Sequence, residues 1–276
     1  MADELFKGQR SIFRNSNTVR PAAVAGMFYP SDHRECAALV THLLEENSAT
    51  GTEKPKALIL PHAGYIYSGP IAAKGYNLLR NFSQEIHRVV LLGPSHRVPL
   101  RGMALSSAAQ FATPLGQVKI DHSEEDVLLQ MPEIQINDDA HALEHSLEVH
   151  LPFLQTLLPS FQLIPIVVGY SSPQSVARVL AHFWDQDDCL IVVSSDLSHY
   201  LDYQTAKRVD QQTSGAILRG EHDLQGEQAC GCHALNGLLL LAGERSAKID
   251  CVALANSADT AGPRDQVVGY GSYIIH

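Results

Sequence analysis

The feature that most constrains this chain is a series of short, continuous apolar runs, each closed by a proline, glycine, serine or asparagine. They are Ala57-Leu58-Ile59-Leu60, Arg88-Val89-Val90-Leu91-Leu92, Leu163-Ile164-Pro165-Ile166-Val167-Val168, Leu190-Ile191-Val192-Val193 and Asp250-Cys251-Val252-Ala253-Leu254. A strand with one wet face alternates apolar and polar residues. A run without alternation suits a strand covered on both faces, as in a parallel sheet. The stretch 267–275 is also apolar and β-prone. Amphipathic helical patterns lie between the runs, at 33–46, 69–80, 144–158, 173–183, 203–218 and 230–243. Strands alternating with helices predict an α/β layered fold, with a mostly parallel or mixed central sheet flanked by helices. The segment 102–120 differs: it alternates weakly around Thr113-Pro114-Leu115-Gly116 and predicts an antiparallel hairpin or excursion. The reading is one domain over residues 1–276, with 1–19 as a flexible N-terminal segment and a loop at 47–55.

Composition narrows the function. Of 276 residues, 45% are apolar, enough for a large core, and 30 acidic against 20 basic residues give a net charge of −10. That balance argues against nucleic acid or an anionic membrane as partner, since both need a positive footprint. No apolar stretch approaches the ~20 residues needed to span a bilayer, and the start lacks a signal-peptide apolar region, so a cytoplasmic protein is expected. Five cysteines without framework spacing read as reduced thiols. Only Cys230 and Cys232 cluster, and a zinc site would need a second pair.

In open α/β sheets functional groups gather at the carboxyl ends of the strands. Here the runs are followed by His62, by Ser95 and His96, by Asp196 and His199, and by Asp259. Two imidazoles and a carboxylate form a ligand set for non-haem Fe(II) or a similar divalent ion. His62 and His96 are the expected ligands, each preceded closely by a proline that restricts its loop. For the third ligand Asp259 is best placed and Asp196 competes. His199 suits a general acid or base, and Asp196 could instead orient it. The donor-dense Glu144-His145-Ser146-Leu147-Glu148-Val149-His150 is not HExxH. On a helix His145 and Glu148 would share a face and line the pocket or form a helix-surface pair. Tyr67, in a glycine-flanked loop, is a further pocket candidate. Ser194, Ser195 and Ser198 lack the GxSxG elbow of serine hydrolases.

Several ordered motifs resemble the Memo family, the mediator of ErbB-driven cell motility and its prokaryotic relatives. They are RPAAVAGMFYP (20–30), PHAGYIYSG (61–69), LGPSHRVPL (92–100), ALSSAAQFATPLG (104–116), EHSLEVHLPFLQ (144–155) and SSDLSHY (194–200). Cys230-Gly231 and Val267-Val268-Gly269-Tyr270 also fit. The resemblance implies a fold shared with class III extradiol ring-cleavage dioxygenases. It implies His62 and His96 as metal ligands, His199 as the acid/base, and Fe(II), copper or zinc as the ion. Eukaryotic members look to use a cysteine as third ligand before the last strand, where this chain carries Ala258-Asp259-Thr260-Ala261. The resemblance also implies a radical SAM protein and an AMMECR-type protein as partners. Two functions follow: a dioxygenase-type oxidoreductase acting on a small molecule, or a non-catalytic module binding a ligand or peptide in the same cleft. Cys230 stands as a pocket residue in either.

Overall fold

The computed structural model describes residues 18–48 and 53–276. Strand β1 (Val19–Arg20) precedes helix α1 (His33–Glu46), β2 (Ala57–Leu60), α2 (Tyr65–Asn77), β3 (Arg88–Pro94) and β4 (Met103–Leu105). The hairpin β5 (Gln110–Thr113) and β6 (Gly116–Lys119) follows, then α3 (Glu125–Leu128), β7 (Ile134–Ile136), α4 (Asp138–Ala142) and α5 (Leu151–Leu157). The remainder is β8 (Gln162–Val168), α6 (Pro173–Trp184), β9 (Cys189–Ser194), β10 (His199–Leu201), α7 (Tyr203–Leu218), α8 (Cys232–Glu244), β11 (Ile249–Asn256) and β12 (Val267–Ile275).

Among the described residues the main sheet has nine strands, in the order β10-β12-β2-β9-β3-β8-β4-β7, with β11 along the other side of β12. The four strands β2, β9, β3 and β8 are parallel. Strand β12 runs against both β2 and β11, and β4 against β8, so the sheet is mixed. Side chains of the parallel strands alternate between two cores. Leu58, Leu60, Val89, Leu91, Leu190 and Val192 pack with α1, α2 and α5, whereas Ala57, Ile59, Val90, Leu92, Ile191 and Val193 pack with α6 and α8. Both faces are dry, which is why these segments read as unbroken apolar runs. Each fully buried aliphatic side chain contributes about 1.5–3 kcal/mol. Pro165, which has no N–H to give, sits in β8 where β4 pairs only with Val167 and Val168.

The chain passes from β2 through α2 to β3 in one direction along the sheet, and from β8 through α6 to β9 in the other. Opposite directions place the two crossovers on opposite faces. The carboxyl ends of β2, β3 and β9 therefore meet where the connections diverge.

Local chemistry sets the element ends. Asp32 caps α1 by accepting from the amides of Arg34 and Glu35 at 2.8 and 3.0 Å. Asp202 caps α7 in the same way, and Ser172 with Pro173 opens α6. The expected hairpin is present as β5 and β6, turning at Thr113-Pro114-Leu115-Gly116, and β1 joins it in a small separate sheet.

One expected helix is corrected. The helix expected over 144–158 shrinks to a 3-10 turn at Glu148–His150 followed by α5, because the Glu144 carboxylate bonds the amides of His145 and Ser146 and competes with a helix there. Of the segment 1–19 expected to be flexible, residues 1–17 lie outside the described residues, whereas Val19 is paired with Gln110 in β1. In the expected loop at 47–55, residues 49–52 also lie outside them. Among the described residues no helix is long and apolar enough to cross a membrane.

Candidate metal centre

His62 lies two residues beyond β2 and His96 two residues beyond β3. Their ring centroids are 5.2 Å apart. A third imidazole joins them: His145, 4.6 Å from His96 and 5.5 Å from His62. One nitrogen from each ring lies within 4.8 Å of the others. His62 is buried, His145 half-buried and His96 open to solvent. A metal ~2.1 Å from each nitrogen would bring them to roughly 3.4 Å apart, a small contraction.

Glu144 holds the group together. Its buried carboxylate accepts from the His96 amide at 2.6 Å, from His96 Nδ1 at 2.9 Å, and from the amides of His145 and Ser146, each at 2.9 Å. Burial alone would raise its pKa. The hydrogen bonds and charge of His96 with these amides outweigh burial and hold it at about 2, so Glu144 is ionised. A carboxylate can only accept, so His96 carries a hydrogen on Nδ1, and Nε2 is the nitrogen left to face a ligand.

Two of the three imidazoles, His62 and His145, are neutral near pH 7. Burial lowers His62 well below the usual imidazole range, and the neighbouring His96, His145, His150 and His199 add to this. Burial brings His145 to about 4. Its Nδ1 is buried without a hydrogen bond, 3.3 Å from Glu144. Phe28 covers this ring at 4.8 Å, an effect of the 20–30 motif. Neutral imidazoles with accessible lone pairs are metal ligands rather than anion binders.

Two further donors flank His62. Asp196 is buried; its Oδ1 accepts from the His62 amide at 2.8 Å, and its Oδ2 is 3.9 Å from His62 Nε2. Burial raises its pKa to about 7, despite the His62 amide and the proximity of His96. Cys230 Sγ is 3.3 Å from His62 Nε2. Burial pushes its thiol pKa up, and Asp196 adds to that.

The other sequence candidates fall as follows. His199 is half-buried at the start of β10, and its charge would act on both His62 and His96. Burial lowers its pKa. Asp196, a candidate third ligand or an orienting partner of His199, accepts from the His62 amide. Asp259 lies apart from the three imidazoles: it accepts from the Tyr203 hydroxyl at 2.8 Å and closes a capping box on the Asn256 amide at 3.0 Å. Glu148 is fully buried and committed elsewhere. It pairs with Arg20 and accepts from the amides of Ala23 and Val24 and from the Tyr29 hydroxyl. Ser95 donates to the Val98 carbonyl at 2.6 Å, shaping the loop that carries His96. Tyr67 is exposed in the first turn of α2, not in a loop.

Sequence reasoning gave His145 only a pocket role and passed over Glu144. Their signal was the density of donors in 144–150, obscured by its distance from any strand end. A hollow of about 650 Å³ lies at the opposite, amino edge of the sheet beside His87 and Gln162, with a single imidazole and no carboxylate. The chemistry is therefore located by the convergent donors.

Comparison with known proteins bears on family and fold. The family model described as "Memo-like protein" matches residues 20–274. A MEMO1 family protein of Aquifex aeolicus is 37% identical over 265 residues, covering 91% of this chain and 97% of the relative. Those of Thermoplasma volcanium and Saccharolobus solfataricus are 31% and 32% identical, covering 93% and 91% of this chain and 98% and 97% of the relatives. In fold the chain is similar to the crystal structure of uncharacterized protein JW3007 from Escherichia coli K12. The TM-score is 0.52 at 13% identity, covering 78% of this chain and 99% of that one. With the motifs, the mixed sheet and the family match in agreement, this chain belongs to the Memo-like protein family.

Proposed function

We propose that the protein is a metal-dependent oxidoreductase of the extradiol-dioxygenase-like type, with one divalent ion held by His62, His96 and His145. The observation carrying this reading is the convergence of three imidazoles at the carboxyl edge of the sheet. Asp196 and Cys230, both beside His62 Nε2, are the side chains able to complete the set. Imidazole with a carboxylate suits Fe(II), and imidazole with a thiolate suits zinc or copper. Fe(II) with Asp196 is the assignment we favour; Asp259 would enter the set only by leaving Tyr203 and Asn256.

A bound divalent ion would supply open positions that polarise an oxygen-bearing ligand. The residues do the rest. Glu144 keeps His96 oriented, and Phe28 shields His145 from water. Substrate enters from the side where His96 is exposed. His199, neutral near pH 7, takes a proton from an acidic substrate hydroxyl. Asp196, raised to about 7 by burial in the metal-free protein, would give up its proton on binding the ion.

A non-catalytic ligand- or peptide-binding role is the second reading. It is favoured by exposed Met27, Ile66 and Tyr200, large apolar side chains next in sequence to residues of the site or its covering loops. A radical SAM protein and an AMMECR-type protein are the macromolecular partners expected on either reading.

Metal analysis of anaerobically purified protein separates the readings. We expect about one iron per chain, lost in His62→Ala, His96→Ala and His145→Ala, and kept in Asp259→Ala. Equal metal content in the parent and the three His variants would refute the centre. Tight binding of a phosphopeptide by protein that takes up no Fe(II) would favour the binding module.

A further inference from the structure

Ser194, the last residue of β9, is fully buried and its hydroxyl meets three partners. Its Oγ is 2.7 Å from the Ser146 carbonyl oxygen, 2.6 Å from His62 Nδ1 and 2.8 Å from His150 Nε2. A carbonyl oxygen only accepts, so the single hydroxyl proton points at Ser146. The lone pairs of Oγ then face two ring nitrogens, and both must carry hydrogen. His62 is thereby protonated on Nδ1 and His150 on Nε2. His150 Nδ1 is left bare and accepts from the Tyr76 hydroxyl at 2.8 Å. Every donor in this buried chain finds an acceptor.

We infer that Ser194 is a positioning residue that, backed by His150 and Tyr76, locks His62 in the tautomer whose Nε2 lone pair faces the other imidazoles. The inference rests on the metal-centre reading only for the use of that lone pair; the tautomer itself is a property of the metal-free protein. The alternative tautomer is a real competitor. A hydrogen on Nε2 would find Cys230 Sγ at 3.3 Å and the Asp196 carboxylate at 3.9 Å. The Ser146 carbonyl decides against it through one hydroxyl.

The chain also ends in that carbonyl, which cannot pass a proton on. The network is therefore a lock and not a conduit, and protons reach the site from the side of His199 and solvent. The two outer imidazole ligands are held by different devices: His96 by the ionised Glu144, His62 by a neutral hydroxyl. A neutral partner leaves His62 the weaker donor of the two.

Nitrogen-15 spectra of the histidine rings in the metal-free protein at pH 7.5 test the lock without any variant. We expect hydrogen on His62 Nδ1 and on His150 Nε2. Predominant hydrogen on His62 Nε2 would overturn the inference. In Ser194→Ala, His62 should move toward the Nε2 tautomer, and Co(II) affinity should fall about tenfold with a changed visible spectrum. Tyr76→Phe, which removes only the distal donor, should leave the His62 tautomer unchanged. A Ser194→Ala protein with unaltered His62 nitrogens would refute the lock. Correct tautomers in a parent protein that binds no Co(II) would leave the lock standing and remove the metal reading instead.

Discussion

Arg20 gives the sharpest test of how the N-terminal motif supports the site. Its guanidinium is buried and spreads over three acceptors on one segment. Nε donates to the His141 carbonyl at 2.9 Å, Nη2 to the Glu144 carbonyl at 2.6 Å, and Nη1 to the Glu148 carboxylate. The ring of Phe111 lies 5.2 Å below it. Arg20→Lys keeps the charge but replaces a planar fork by a shorter point donor. The ammonium can follow Glu148 or the two carbonyls, not both. With the ion pair kept, two buried carbonyls lose their donor at about 1–2 kcal/mol each, so the variant should be destabilised by about 2–4 kcal/mol. For a chain of this size that corresponds to a fall in Tm of about 3–7 °C. Urea unfolding at pH 7 measures it, with the exposed Arg34→Lys as a control expected to stay within about 0.5 kcal/mol. Because the clamped segment carries Glu144 and His145, metal affinity should drop as well. An Arg20→Lys protein as stable as its parent would show that the fork is not what fixes this segment.

Acid should weaken the fold well above the usual carboxylate range. Burial holds His141 at about 4, His145 at about 4, His150 at about 3 and His62 well below the usual imidazole range, so each takes up a proton on unfolding as the pH falls below about 6.5. Asp196, protonated in the folded state up to about pH 7, releases one and partly offsets them. The unfolded chain thus binds about three more protons, and stability should fall by about 4 kcal/mol per pH unit between pH 6 and 5; a flat urea midpoint over that interval would contradict it. Two glycines of α8 should respond oppositely to alanine. At Gly237 a methyl would overlap Val176 across the α6–α8 contact, for a loss of about 1–3 kcal/mol. At Gly243 nothing stands within 4 Å, so helix propensity should stabilise by about 0.5–1 kcal/mol, read from the same thermal melts.

How much of this was legible in the residues depends on which forces act locally. Strands β2, β3, β8 and β9 were readable because burial on both faces writes itself into an unbroken apolar run. Helices α1 and α7 were readable because apolar and polar residues alternate at helical spacing, with Cys36, Val40, Leu43 and Leu44 forming the buried face of α1. His62 and His96 were readable because strand ends in such sheets collect chemistry. His145 and Glu144 follow the short α4 instead, and only tertiary packing against β3 brings them to His96. Glu148 misled for a different reason. A charged residue beside histidines suggests a pocket wall, but its partner, Arg20, lies 128 residues earlier in the chain. Asp259 occupied the right edge of the sheet, yet Asn256 and Tyr203 are local competitors for its carboxylate. Cys230 precedes α8, where nothing in its own neighbourhood marks the approach to His62.

The position of β12 has a consequence for biogenesis. It lies between β11 and β2, and it is made after every other strand of the sheet. During synthesis β2 therefore waits with one flank unpaired until more than two hundred further residues have left the ribosome. The hydrogen-bonded frame beneath His62 is complete only then, so a site built on that frame takes its final shape only once β12 has been made.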